Sequence, residues 1–138
     1  MDRYTQMAQV RAAERRRVLE ELNQLAADIR RCEETIALVM AELNAVNAKY
    51  QGPRTTRQDV EYLTVLLECA KRKLAWEKQI ASLHKRAPEL LAGMMKILND
   101  QDFPPSDEVK AEMLQALQVV QAALERLQPT EPPASPAS

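Results

Sequence analysis

The fold of this chain is decided by residues 18–50, VLEELNQLAADIRRCEETIALVMAELNAVNAKY. Apolar or weakly polar side chains recur in this stretch at alternating spacings of four and three residues. This is the heptad pattern of a helix whose apolar seam packs against another helix. The ten seam positions are Val18, Leu22, Leu25, Ile29, Cys32, Ile36, Val39, Leu43, Val46 and Tyr50. Leu19, Ala26 and Met40 widen the seam on one flank, which favours a bundle over a two-stranded coiled coil.

The helix is predicted to cover residues 3–50 and to end at the sequence QGPRTT, residues 51–56. Gly52 can adopt the left-handed conformation that ends a helix, and Pro53 cannot continue one. Thr55 or Thr56 can cap a second helix. Because the connection is short, the second helix is expected to return antiparallel to the first.

Two apolar stripes run along this second helix, predicted for residues 56–99. The first follows the heptad spacing and is interrupted only by Lys73; its members are Tyr62, Leu66, Cys69, Trp76, Ile80, Leu83, Ala87, Leu90, Met94 and Ile97. Its phase is kept across Pro88, which favours a kinked helix that keeps its direction. A tight turn at residues 84–87 that starts a separate helix at Pro88 is the alternative.

The second stripe occupies only the first half of the returning helix and consists of Val60, Leu63, Leu67, Ala70 and Leu74. One stripe suffices to pack against the first helix, so the other needs a different cover. Lys71, Arg72 and Lys73 flank it and would suit an acidic partner. We therefore predict partner binding by these eight residues, within the hairpin region of about residues 36–76.

A third helix is predicted for residues 106–128, with Ser106 as its cap and acidic residues in its first turn. At about 1.5 Å per residue it reaches only half the length of the two longer helices. The expected fold is all-α: an elongated antiparallel helical hairpin with a third helix that completes a three-helix bundle near the termini. Alternatively, the third helix reaches further and covers the second stripe itself.

Residues 1–128 are expected to form one helical domain, followed by a disordered tail at 129–138 that is rich in Pro, Ser and Ala.

The net charge of −1 gives no overall field that would attract nucleic acid. No apolar run approaches the length of a membrane span. Cys32 and Cys69 are isolated thiols, and His84 is the single histidine, so neither a metal site, a cofactor site nor a catalytic group is indicated.

The plan of one long helix, a Gly-Pro turn and a returning helix resembles small coiled-coil subunits of kinetochore, centrosome, tethering and lysosome-positioning complexes. Residues 41–86 resemble snapin-type subunits, and QVVQAALERL resembles the last helix of BAG co-chaperone domains, where Glu112 and Met113 replace a basic residue. We assign neither family. The isolated cysteines Cys32 and Cys69, without CxxC spacing or a signal peptide, favour a cytoplasmic protein, with association with the cytoskeleton or an organelle and a nuclear location left open.

The functional hypothesis is a non-enzymatic adaptor or structural subunit that binds other helical proteins, or a second copy of itself, through apolar seams. No small-molecule substrate, cofactor or membrane insertion is expected. The alternative is a nucleic-acid-associated or chaperone-regulating module that uses basic surfaces around Arg15, Arg16 and Arg17 and around Lys71, Arg72 and Lys73.

Overall fold

A computed structural model describes residues 2–128 of the chain. It contains three helices, α1 (Arg3–Lys49), α2 (Thr56–Leu98) and α3 (Asp107–Arg126), and no strand within the described range. α1 and α2 form a hairpin, and α3 packs on it. The predicted all-α class is thus confirmed, whereas the predicted disordered tail lies outside the described residues.

Each helix begins at a side chain that accepts a hydrogen bond from the backbone of the first turn. Asp2 accepts from the amide of Thr5, and Ser106 accepts from the amide of Val109. Thr55 starts α2 with a capping box, because Gln58 in turn accepts from the amide of Thr55. These caps satisfy donors that have no partner inside the helix.

The turn between α1 and α2 is closed by aromatic side chains. Gly52 adopts a φ of +82°, a conformation open to glycine at little cost. Tyr50 packs edge-on against Tyr62, with ring centroids 6.0 Å apart, and its hydroxyl donates to Glu61 at 2.6 Å. The Arg54 guanidinium lies 4.3 Å from the centroid of the Tyr62 ring. These contacts fix the antiparallel register of the hairpin from the turn.

Pro88 lies inside α2, and residues 84–87 are helical on its N-terminal side. The returning helix therefore keeps its direction through the proline, as the unbroken phase of the first stripe predicts. The alternative of a tight turn before Pro88 is not what the chain adopts. Ala87 and Met94 stay buried on the same stripe.

One contiguous core joins the three helices in the half of the hairpin near the open end, where α1 begins and α2 ends. α1 contributes Val18, Leu22, Leu25, Ile29 and Cys32, α2 contributes Ile80, Leu83, Ala87, Met94 and Ile97, and the third-helix region contributes Met113, Val120, Ala123 and Leu127. We call this region the three-helix half. The remainder, residues 36–76, is the two-helix half, whose buried side chains are Val39, Val46, Tyr50 and Cys69.

At the open end the seam of α1 turns polar. Arg11 and Arg15 occupy the positions that continue the heptad, and both guanidinium groups lie near the carboxylate of Asp100, at 3.6 and 3.5 Å. The amide of Phe103 donates to that carboxylate, and together with the two arginines it holds the pKa of Asp100 below its usual value. The connection between α2 and α3 is thereby tied to α1.

Candidate partner-binding surface

The two long sides of the hairpin differ in chemistry. On one side, ion pairs join α1 to α2 at two levels: Asp28 with Arg86 at 2.9 Å, and Glu42 with Arg72 at 2.6 Å. The partners on each helix are fourteen residues apart, which is two heptads, so both pairs lie on the same side. We call this the ion-pair side.

α3 covers the other side, which we call the α3 side. On α1, Leu19 and Ala26 pack into the three-helix core, and Glu33 pairs with Arg126 near the end of α3 at 2.9 Å. On α2, the ring Nε2 of His84 donates to the carbonyl of Leu127. Glu33 and His84 therefore mark the level at which α3 ends.

Beyond that level the groove between α1 and α2 continues without a third helix. Met40 lies seven residues after Glu33, and Ala70 and Leu63 lie fourteen and twenty-one residues before His84. Residues seven apart share a face of a helix in a coiled coil. These three side chains therefore continue the two lines on which α3 rests, and all three are exposed.

The predicted second stripe lies along the α2 side of this uncovered groove: Leu63 and Ala70 are on the line that leads to His84, and Val60, Leu67 and Leu74 are on the adjacent line. Val60, Leu63, Leu67 and Leu74 expose between 57% and 61% of their surface, and Ala70 between them is also exposed. We call these five residues the apolar strip. Since α3 ends at Glu33 and His84, it does not cover them, and the alternative of a longer third helix does not hold for the described chain.

Of the three predicted basic residues, Lys71 alone lies on the outer edge of the strip. Arg72 lies on the ion-pair side with Glu42. Lys73 interrupts the seam toward α1, and its ammonium lies 4.0 Å from Glu77. Lys71 is beside the strip, three residues from Leu74 and four from Leu67, and its ammonium lies 3.6 Å from Glu68.

Sequence reasoning missed two features of the surface. Met40, 43% exposed, brings α1 into the uncovered groove opposite the strip. Arg57 and Lys78 continue the line of Lys71 at seven-residue spacing along the outer edge of the strip, with Thr64 as the one neutral member. The seven-residue spacing could have identified them, because residues seven apart lie on the same face of a helix. The consecutive residues Lys71, Arg72 and Lys73 lie on different faces.

The basic segment near the start of α1 is partly engaged within the chain. Arg15 donates to the carbonyl of Phe103 in addition to its ion pair with Asp100. Arg16 and Arg17 are exposed. Of the six arginines and lysines that the basic-surface alternative would use, Arg15 and Arg72 thus have partners on other helices or connections of the same chain.

Other shallow grooves lie between α1 and α3, along the first turns of α1, and beside Glu42 and Val65 in the two-helix half. One groove between α1 and α3 has a volume of about 400 Å³ and is lined by Leu19 and Val119 as well as by small or polar side chains. Within residues 2–128 no cluster of His, Cys, Asp or Glu has metal-binding geometry. None of the described helices combines the length and the apolarity needed to cross a membrane.

Both thiols are buried, one in each half of the hairpin. Cys32 is fully enclosed beneath α3, and this burial, aided by the charge of Glu33, raises the pKa of its thiol. Cys69 lies in the seam of the two-helix half.

Comparisons with protein-family models, with curated proteins and with solved structures gave no match for this chain.

Proposed function

We propose that this chain is a non-enzymatic helical adaptor or structural subunit, which binds a helix of another protein in the uncovered groove of its two-helix half. The observation that carries the proposal is the apolar strip, which lies in line with α3 on the same side of the hairpin. Four large aliphatic side chains in a continuous row, each more than half exposed, are typical of an interaction site.

The energetics favour a subunit with several contacts over an isolated receptor. Fully burying a Val or Leu side chain contributes about 1.5 to 3 kcal/mol, so covering the exposed parts of four contributes on the order of 4 kcal/mol. The loss of translational and rotational freedom on association costs at least about the same. A helix bound by the strip alone would dissociate readily, and stable binding requires the further contacts that a larger assembly supplies.

The strip contributes little to the fold of the isolated chain, which separates binding from stability. Leu63 and Leu67 are exposed, and the buried contacts of the two-helix half come from the seam residues Val46 and Cys69. Changing both leucines to Asp is expected to leave helicity unchanged and the free energy of unfolding within about 0.5 kcal/mol per site. The same change places two carboxylates where the partner's apolar face would lie.

The test compares Leu63→Asp with Leu67→Asp in one chain against Leu38→Asp as a matched control. Leu38 is 72% exposed and lies one turn before Glu42, toward the ion-pair side. Each variant is expressed in cells, and the size of the native assembly that contains it is measured by gel filtration with light scattering. We expect the double variant to be absent from the assembly and the control to be present in it. Retention of the double variant in the assembly, or loss of helicity in the isolated variant, would contradict the proposal.

A further inference from the structure

Three basic residues follow the outer edge of the apolar strip, and the two acids near it, Asp59 and Glu77, lie at its ends beside Arg54 and Lys73. Arg57, Lys71 and Lys78 are exposed and are separated by fourteen and seven residues, so they form one line along the outer edge of the strip. Each is three or four residues from a strip residue, which places it on the adjacent helix line. We call these three residues the basic edge.

The opposite edge of the groove is neutral. It is formed on α1 by Ala37 and Asn44, which lie three and four residues from Met40 and are exposed. At the end nearest α3 the groove meets Glu77, which is 25% exposed and lies 4.0 Å from Lys73. A helix lying in this groove would thus meet basic groups along one edge and no acidic group along the other.

The basic edge keeps its charge available for a partner. Lys71 pairs with Glu68 at 3.6 Å and Arg57 with Glu61 at 3.7 Å, and the acids of both pairs lie farther from the strip than the basic groups. All four side chains expose about half of their surface or more. Such exposed pairs within one helix contribute little and exchange partners readily.

We propose that the groove receives an acidic amphipathic helix from another protein, which lies end to end with α3 and completes the three-helix bundle. The proposal rests on the proposed function and adds the chemistry of the partner. The strip from Val60 to Leu74 spans about 21 Å, so the bound segment needs at least four turns. Its apolar stripe would face Met40 and the strip, and Asp or Glu would line the edge facing Arg57, Lys71 and Lys78.

α3 itself is the precedent for such an occupant. Its described helix carries four acidic and two basic residues, and it lies on the same two lines of α1 and α2. Glu112 shares a groove with Arg15 and Arg16 of α1. In the three-helix half, the α3 side of the hairpin thus already binds an acidic helix.

Two other occupants fit the charges less well. Two copies pairing antiparallel through their strips would bring one basic edge against the other, which opposes association. Residues 129–138 of the chain, PTEPPASPAS, contain four prolines and no large apolar residue, so they have nothing to insert between Leu63, Leu67 and Met40.

The test uses two synthetic peptides of three heptads with identical Leu and Ile positions, whose edge positions are all Glu in one peptide and all Lys in the other. Binding of each labelled peptide to the full chain is measured by fluorescence anisotropy at low and physiological salt. We expect the Glu peptide to bind about tenfold more tightly at low salt, and the difference to shrink as salt rises.

Matched variants locate the effect. Lys71→Glu with Lys78→Glu should remove or reverse the preference, whereas Arg17→Glu with Lys96→Glu, at exposed sites near the open end, should leave it unchanged. Leu67→Asp should abolish binding of both peptides. The mass of the chain by light scattering is recorded for the same samples.

Each other outcome overturns a defined part of the proposal. If both peptides bind equally and Leu67→Asp abolishes the binding of both, the groove is a docking site but its partner is not selected for acidic residues. A dimer that dissociates in Leu67→Asp would make a second copy the occupant. Because binding through the strip alone is weak, the peptides are titrated to millimolar concentration, and a monomer that binds neither of them there would overturn the proposed function together with this inference.

Discussion

The three-helix half and the two-helix half of the hairpin are built on one seam and differ in what covers the α3 side. Each has one ion pair between α1 and α2 on the ion-pair side, and each buries one cysteine in the seam. In the first half α3 rests on Leu19 and Ala26; in the second half, Met40 continues the same line into solvent. The strip is therefore exposed because α3, twenty residues long, ends before it.

The largest expected difference between the halves concerns the loss of a leucine side chain. Leu25 is fully buried and Leu67 is 57% exposed. Leu25→Ala is expected to lower the free energy of unfolding by about 2 to 5 kcal/mol, because it leaves a cavity in the three-helix core. Leu67→Ala is expected to change it by less than about 0.5 kcal/mol.

Urea unfolding followed by circular dichroism measures both values on the isolated chain. Similar decreases in the free energy of unfolding for Leu25→Ala and Leu67→Ala would contradict the difference between the two halves, since they would show that the strip is buried within the isolated chain.

A second prediction concerns the two thiols. Both are buried, but Cys69 is released when the two-helix half opens, whereas Cys32 also needs α3 to separate from α1. Regions with fewer buried contacts open at a lower free energy. We expect Cys69 to react with N-ethylmaleimide about tenfold faster than Cys32 in the native chain. Burial also raises the pKa of the Cys32 thiol, which lowers its thiolate fraction.

Peptide-resolved mass spectrometry over a time course measures the two rates, and labelling in urea supplies the intrinsic rates for correction. Equal protection of both thiols would mean that the hairpin opens as one unit.

The smallest effect is expected at the ion pairs. Arg86 holds the pKa of Asp28 below its usual value, with further hydrogen bonds from Gln24 and Arg31, whereas the pair of Glu42 and Arg72 is about half exposed. Asp28→Asn should lower the free energy of unfolding by about 1 kcal/mol at neutral pH, and Glu42→Gln by less than about 0.5 kcal/mol.

The contribution of Asp28 is sensitive to acid in a defined direction. Because its pKa is lower in the folded chain, the stabilisation is present above the unfolded pKa of about 4 and is lost as pH falls through the folded value. The melting temperatures of Asp28→Asn and of the unchanged chain should therefore converge as the pH falls through the folded pKa of Asp28. A difference in melting temperature that stays constant down to pH about 2 would show that the destabilisation of Asp28→Asn does not come from the loss of this charge.

The fold could be read from the sequence because helix formation and pairing depend on periodic apolar residues and on local caps. The seam residues Val18 to Cys32 are buried as predicted, and Gly52 and Thr55 end and start the helices where the turn sequence indicates. Ile36 and Leu43 are only half-buried, while Val39 and Val46 of the same seam are buried.

The surface could be read only in part. The strip was evident as a second stripe, but the side of the hairpin that α3 covers is set by tertiary packing, which the spacing within α2 does not encode. Lys71, Arg72 and Lys73 look equivalent in sequence, yet consecutive residues point about 100° apart on a helix. For that reason Arg72 reaches Glu42 on the ion-pair side while Lys71 stays beside the strip.

The aromatic closure of the turn also bears on the entropy of ordering the chain. The bonds of Tyr50 to Glu61 and of Tyr62 to Asn47 join residues 11 and 15 positions apart. The bonds of Arg15 to Phe103 and of Arg126 to Glu33 span 88 and 93 positions. Closing a short loop costs less chain entropy than closing a long one. The half of the hairpin with the smaller core therefore makes its contacts at the lower entropic cost, and the half with the larger core depends on contacts between distant parts of the chain.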